Sequence, residues 1–139
     1  MAGNTFGSVF RLTTWGESHG PAVGGVLDGM PAGLLLDLAA VDAALARRKP
    51  RGAAGTPRRE ADRVEWLSGL HPDADAQGRR RSLGTPIAFF IRNENTNPGD
   101  YAALAEVYRP GHADATYQAK YGVRDFRGGG RSSARETVA

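Results

Sequence analysis

The chain contains no cysteine, which excludes a disulfide framework and any thiolate metal site and is compatible with a reducing cytosol. No apolar run approaches the roughly 20 residues that cross a bilayer. The opening Met-Ala-Gly-Asn-Thr-Phe has neither the basic nor the apolar block of a signal peptide. Cytoplasmic residence without a membrane partner is therefore expected. The three histidines lack His-Glu-x-x-His or any other tight spacing, so no metal site is expected. Lysine is nearly absent too, since 16 of the 18 basic residues are arginine. The planar guanidinium fork suits bidentate contact with phosphate or carboxylate, which points to an anionic partner. The net charge is only +3, with acidic residues interspersed, so a small anion is at least as good a reading as nucleic acid.

That charge is unevenly spread. Residues 1–46 set Arg11 against Glu17, Asp28, Asp37 and Asp42, whereas residues 47–63 carry seven basic side chains against Glu60 and Asp62. With 139 residues the chain can bury one modest core. Residues 5–14 alternate apolar and polar side chains and read as a strand burying Phe6, Val9 or Phe10, and Leu12. Residues 22–28 form a second strand candidate, broken by Gly24-Gly25. Asp37 reads as the N-cap of a helix with Leu38, Val41, Ala44 and Leu45 on its apolar stripe, ended by Pro50 and carrying Arg47, Arg48 and Lys49 in its last turn. Residues 51–63 read as a loop, residues 64–67 as a strand and residues 71–82 as a polar, turn-rich stretch. Residues 85–92, centred on Ile87, Phe89 and Ile91, form a clear strand. Asp100 reads as the cap of a short helix through Tyr108, and a further helix over 112–121 has Gly122 at its C′ position. These elements make part of one mixed α+β unit.

The chemistry gathers in two places. His19 lies in Gly16-Glu17-Ser18-His19-Gly20, where flanking glycines permit close approach and an imidazole can transfer a proton near neutral pH. From local sequence alone, a turn histidine bonded to local backbone is the alternative and the commoner case. Residues 109–137 hold His112, five arginines, Lys120 and the run Arg127-Gly128-Gly129-Gly130-Arg131-Ser132-Ser133, and Ser133-x-x-Glu136 has the form of a capping box. Glycines that let amides approach a ligand, beside a helix N-terminus and arginines, suit a phosphorylated ligand. A capped helix behind a flexible loop explains the glycines and Ser133, but not the arginines on both sides. The order of a P-loop is absent. His112 reads either as an acid or ligand donor or as a helix-start residue, His71 as a surface residue, and Arg47-Arg48-Lys49 either as anion contacts or as complements to a helix dipole.

Residues 109–137 and Gly16-Glu17-Ser18-His19-Gly20 closely resemble two signatures of the chorismate synthase family. Arg58-x-Glu60-x-Asp62-x-Val64-Glu65, Leu67-Ser68-Gly69, Gly84-Thr85-Pro86-Ile87-Ala88 and Asp100-Tyr101 resemble its intervening landmarks in order. The resemblance implies an α+β fold with antiparallel sheets packed with helices in a sandwich, of which residues 1–139 form the N-terminal part of a single domain. It implies 1,4-elimination of phosphate from 5-enolpyruvylshikimate 3-phosphate to give chorismate, the shikimate-pathway step toward aromatic amino acids. Reduced FMN is required without net redox change, and NADPH enters only as a source of flavin reduction. By position, His19 resembles the histidine near the leaving phosphate and His112 the one near the flavin. Arg48, Arg58 and Arg131 resemble substrate contacts, while Arg131, Ser132 and Ser133 resemble the flavin surround. A homotetramer is implied for the full-length protein. The chain departs from the family's pattern over residues 49–56, where it reads one residue shorter, and at Asn95 and Asn97. Taken alone, residues 1–139 are expected to be inactive, because the helix opened at Ser133 is cut short. An inactive fragment and an arginine-rich nucleic-acid-binding module are the alternatives.

Overall fold

The computed structural model describes residues 3–48, 62–94 and 103–127, together with Arg135 and Val138. Among these, a five-stranded antiparallel sheet runs in the order β1, β2, β3, β8, β5, formed by Thr5–Phe6, Arg11–Gly16, Ala22–Asp28, Ile87–Arg92 and Val64–Trp66. A three-stranded antiparallel sheet runs β4, β7, β6, formed by Leu35–Leu36, Arg80–Ser82 and Leu70–Ala74. Helices α1, Leu38–Arg48, and α2, Asp114–Tyr121, complete the α+β arrangement.

Alternation along β8 places Ile87, Phe89 and Ile91 on the buried face. Register puts Ile91 between Val23 and Val64, giving a lateral row of β-branched side chains across three strands. Leu45 of α1 is buried against Val23, Ile91 and Val138, with Val41 and Val64 at the edge. Each fully buried side chain of this kind stabilises by about 1.5–3 kcal/mol. The helix starts as expected, because Asp37 Oδ1 accepts the Ala40 backbone N–H at 3.0 Å.

Four expectations change in the structure. Residues 5–14 are two paired strands rather than one, with Phe6 opposite Leu12 and Gly7 at φ +83° beginning the turn. Phe6, Val9 and Phe10 are consequently exposed. Gly24-Gly25 does not break β3. It gives the Trp15 ring room at Gly24 and the Phe89 ring room at Gly25, one on each face. The polar stretch of residues 71–82 supplies β6 and β7, joined by a turn in which Asp75 Oδ1 accepts the N–H groups of Gln77 and Arg79. Hydrogen bonds from Arg79 hold the Asp75 carboxyl below its ordinary range despite an opposing desolvation cost. The chain before Tyr108 is not a regular helix at Ala105–Val107. There Arg124 Nη2 lies within 3.0 Å of the Leu104, Ala105 and Val107 carbonyls. Its Nη1 donates to Asp114 at 3.1 Å, and both side chains are buried. Removing one member of such a pair leaves an uncompensated buried charge, at about 3–5 kcal/mol.

Helix α2 begins at Asp114, so His112 lies in the preceding turn, and Gly122 ends the helix at φ +76° with its N–H on Gln118 O at 2.9 Å.

Candidate functional site

Strand β2 ends at Gly16, whose φ of +102° aims the chain into the 17–20 turn; a Cβ there would lie 2.4 Å from Ala22 O. The turn closes through Gly20 N–H to Glu17 O at 3.1 Å. It buries Ser18 and leaves His19 only 9% exposed. Asn93, just past β8, holds both ends of this turn. Its Nδ2 donates to Glu17 O at 2.9 Å and to Gly20 O at 2.8 Å, and its backbone N–H donates to Pro21 O at 3.0 Å. Asn93 Oδ1 accepts Arg135 Nε at 2.9 Å, while Arg135 Nη2 donates to Arg92 O at 3.0 Å and Nη1 pairs with the nearly buried Asp62 carboxylate. This network assigns the amide orientation, because the carbonyls only accept and the guanidinium only donates.

A second segment closes on the turn from residues 125–127. Ser18 Oγ donates to Arg127 O at 3.4 Å. Arg127 forks onto Asp125, Nε to Oδ1 at 2.8 Å and Nη2 to Oδ2 at 3.0 Å, and its backbone N–H adds a third bond at 3.0 Å. Burial raises the Asp125 carboxyl, but these hydrogen bonds, the Arg127 charge and the charge of a protonated His19 together hold it below its ordinary value.

The lowered Asp125 value fixes a sign. A carboxylate depressed in the folded state contributes stability that is present above its unfolded value of 3.8 and is lost as pH falls through the folded value. Asp125→Asn should therefore lower the urea midpoint at neutral pH and converge on the parent in acid. A gap between the two proteins that stays constant across that range removes the Asp125–Arg127 pair from the stability account.

A cavity of about 310 Å³ opens beside both histidine-bearing segments. Glu17, two residues before His19, forms part of its wall, as do Ala113 and Asp114, next after His112; Tyr117, Tyr121, Val123, Arg124 and Asp125 complete it. The two tyrosine rings are 5.2 Å apart and tilted by 57°. His112 itself is exposed, and its Nδ1 lies 3.1 Å from Pro110 O. A carbonyl can only accept, so this bond puts the proton on Nδ1 and leaves Nε2 as the basic nitrogen.

Of the residues singled out in the sequence, His19, His112 and Arg48 are described, and Arg48 sits exposed at the end of α1. Arg58, Arg131, Ser132 and Ser133 lie outside the described residues, as do the loop over 51–61, the Ser133-x-x-Glu136 box, Asn95, Asn97 and Asp100. Sequence reasoning missed Asn93, Asp125 and the Asp62–Arg135 pair. Local pattern carries no signal for Asn93 or the Asp62–Arg135 pair, since the 17–20 turn is more than 70 positions from Asn93, and Asp62 is 73 from Arg135; the Asp125–Arg127 spacing of two residues was the one local cue.

The family model for chorismate synthase matches residues 10–139. The chain is 55% identical to the chorismate synthase of Nitratidesulfovibrio vulgaris (strain DSM 19637 / Miyazaki F), over all of this chain and 38% of that protein. It is 56% identical to that of Syntrophus aciditrophicus (strain SB), again over 100% of this chain and 38% of the relative. The chain thus spans less than half the length of these relatives. A crystal structure of a chorismate synthase aligns with a TM-score of 0.59 at 34% identity, covering 94% of this chain and 30% of that one. With a family match over nearly its whole length, on a shared fold that carries the His19 turn and the His112 turn to one cavity, the chain belongs to the chorismate synthase family.

Proposed function

We propose that this chain forms the N-terminal part of a single-domain lyase that converts 5-enolpyruvylshikimate 3-phosphate to chorismate. The observation that carries the reading is structural: one cavity has walls from both histidine-bearing segments, in a chain about 55% identical to chorismate synthases. In the reaction, the carbon–oxygen bond to phosphate breaks with its electron pair leaving on phosphate, and a ring proton is lost to form the new double bond. His19, held in a closed turn and attracted by Asp125 when protonated, donates a proton to the departing phosphate oxygen. His112 would face the flavin, with Nε2 free of the Pro110 contact and able to hold or release a proton there. Arg48, Arg58 and Arg131 neutralise phosphate, and Ser132 and Ser133 join Arg131 around the cofactor.

The residues present fit a flavin ring better than its phosphate. Tyr117, Tyr121 and Val123 offer an aromatic, apolar wall, whereas Arg124 is already saturated by Asp114 and backbone carbonyls, and Glu17 and Asp125 repel an anion. The flavin phosphate therefore requires the arginines outside this cavity wall. Reduced FMN, when bound, would supply transient electron density to the breaking bond with no net redox change. NADPH would serve only to reduce the flavin, and the working protein is a cytoplasmic homotetramer.

A nucleic-acid surface has less support. Among the described residues, Arg11, Arg79, Arg92, Arg124, Arg127 and Arg135 each pair with a carboxylate, which cancels much of the field that would attract a polyanion. The deciding experiment is anaerobic. A chain of the relatives' full length, given reduced FMN and 5-enolpyruvylshikimate 3-phosphate, should release chorismate and phosphate in equal amounts, and residues 1–139 alone should release neither. Absence of both products from the long chain, with steeply salt-dependent oligonucleotide binding instead, would overturn the reading.

A further inference from the structure

We propose that Asn93 is the positioning residue for His19, with Arg135 and Asp62 fixing Asn93 in turn. The inference deepens the reading above and rests on His19 acting at the leaving phosphate. Among the described residues, one bond within the turn that carries His19 joins Gly20 to Glu17. Both terminal carbonyls of the turn converge instead on a single amide nitrogen, Asn93 Nδ2, at 2.9 and 2.8 Å. A nitrogen with two protons meets two carbonyls, so its donor capacity is fully used on this turn. The backbone N–H of the same residue takes the next carbonyl, Pro21 O, at 3.0 Å. Three bonds from one residue thereby tie the histidine turn to the end of β8, a strand whose Ile91 is 1% exposed in the core.

The amide oxygen is held as well. Arg135 Nε supplies that hold at 2.9 Å, and Arg135 is itself fixed by Arg92 O and by Asp62, with both members of the ion pair nearly buried at 9% and 11% exposure. Asp62 reaches this pairing from a backbone φ of +43°, in the left-handed region that non-glycine residues seldom occupy. The order of support therefore runs from Asp62 to Arg135, to Asn93, to the turn. None of the three is placed at the reacting atoms. Their effect on catalysis passes through the position of the His19 imidazole.

Asn93→Asp tests this with little change in shape. The aspartate keeps the size of the side chain and the contact with Arg135, but it loses both donors and turns an oxygen toward two carbonyls. Two readouts are taken in a chain of the relatives' full length. The first is the side-chain NMR titration of the histidines, with the His19 signal identified by its loss in His19→Gln. The second is steady-state turnover. The His19 resonance and its titration should move while those of His71 and His112 stay in place, and kcat should fall by about 100-fold, the scale of a small misplacement, with KM little changed. Asp62→Asn, which loosens Arg135 without touching the turn and without adding a charge, should also move the His19 resonance, by less.

An unmoved His19 signal in Asn93→Asp overturns the proposal whatever the activity does. Movement of all three histidines also overturns it, because that marks a general structural role. If the parent chain makes no chorismate, the functional reading fails by itself, and the NMR arm still decides whether Asn93 positions His19. Should Asn93→Asp not fold, Asn93→Ser and Asp62→Asn give the same two readouts and the same two outcomes.

Discussion

In a chain of the relatives' full length, His19→Ala should slow chorismate formation by about 100-fold to 10,000-fold while reduced flavin still binds, the range expected when a general acid is removed. The selectivity follows from how the turn is built. Its carbonyls are held by Asn93 and its closure by Gly20, all through backbone atoms, so deleting the imidazole leaves the turn in place. Ser18 continues to reach Arg127 O, and Asp125 keeps its bidentate arginine. The loss should therefore fall on kcat with little change in thermal stability. His112→Ala should behave differently, altering the pH response of the bound flavin's spectrum, since His112 is exposed in a separate turn and its Nδ1 is occupied by Pro110 O. Turnover of His19→Ala at the parent rate would remove His19 from the chemistry.

The second large effect concerns folding. Gly24→Ala should destabilise the protein far more than Gly25→Ala, although the two residues are neighbours in one strand. A Cβ at Gly24 would stand 2.4 Å from Phe89 O, and backbone oxygen within a strand pair cannot withdraw without disturbing the β3–β8 ladder. It would also stand 2.6 Å from the Trp15 ring. At Gly25 the obstacles are the edge of the Phe89 ring at 2.9 Å and a Leu12 methyl at 3.1 Å, both ends of side chains that can shift. Overpacking of this kind costs about 1–3 kcal/mol, and the Gly24 variant belongs at or above the upper end. Urea unfolding of the two variants beside the parent measures the difference. Equal midpoints would show that the sheet yields at Gly24 as easily as a side chain does.

Local patterns made much of the fold legible. The stripe of Leu38, Val41 and Leu45 behind an Asp37 cap specified α1, the alternation of Ile87, Phe89 and Ile91 specified β8, and Gly122 marked the end of α2, because capping and side-chain period act over a few residues. His19 and His112 were legible as candidates for the same reason, each lying in a turn with a recognisable signature. Pairing decided the rest. Residues 71–82 are polar by composition, yet β6 and β7 form because Asp75 closes their turn and Leu70 and Ser82 are buried. The alternation at residues 5–14 suggested one strand, but the chain folds back so that Thr5 meets Thr13. The arginines pointed to an anion as a group. Only the tertiary structure separated those consumed by Asp62 and Asp114 from the others, because these ion pairs depend on where the backbone brings two charges distant in sequence. The support of the His19 turn by Asn93 belongs to the same class: a hydrogen bond across more than 70 residues leaves no local trace, and sheet topology alone brings its partners together.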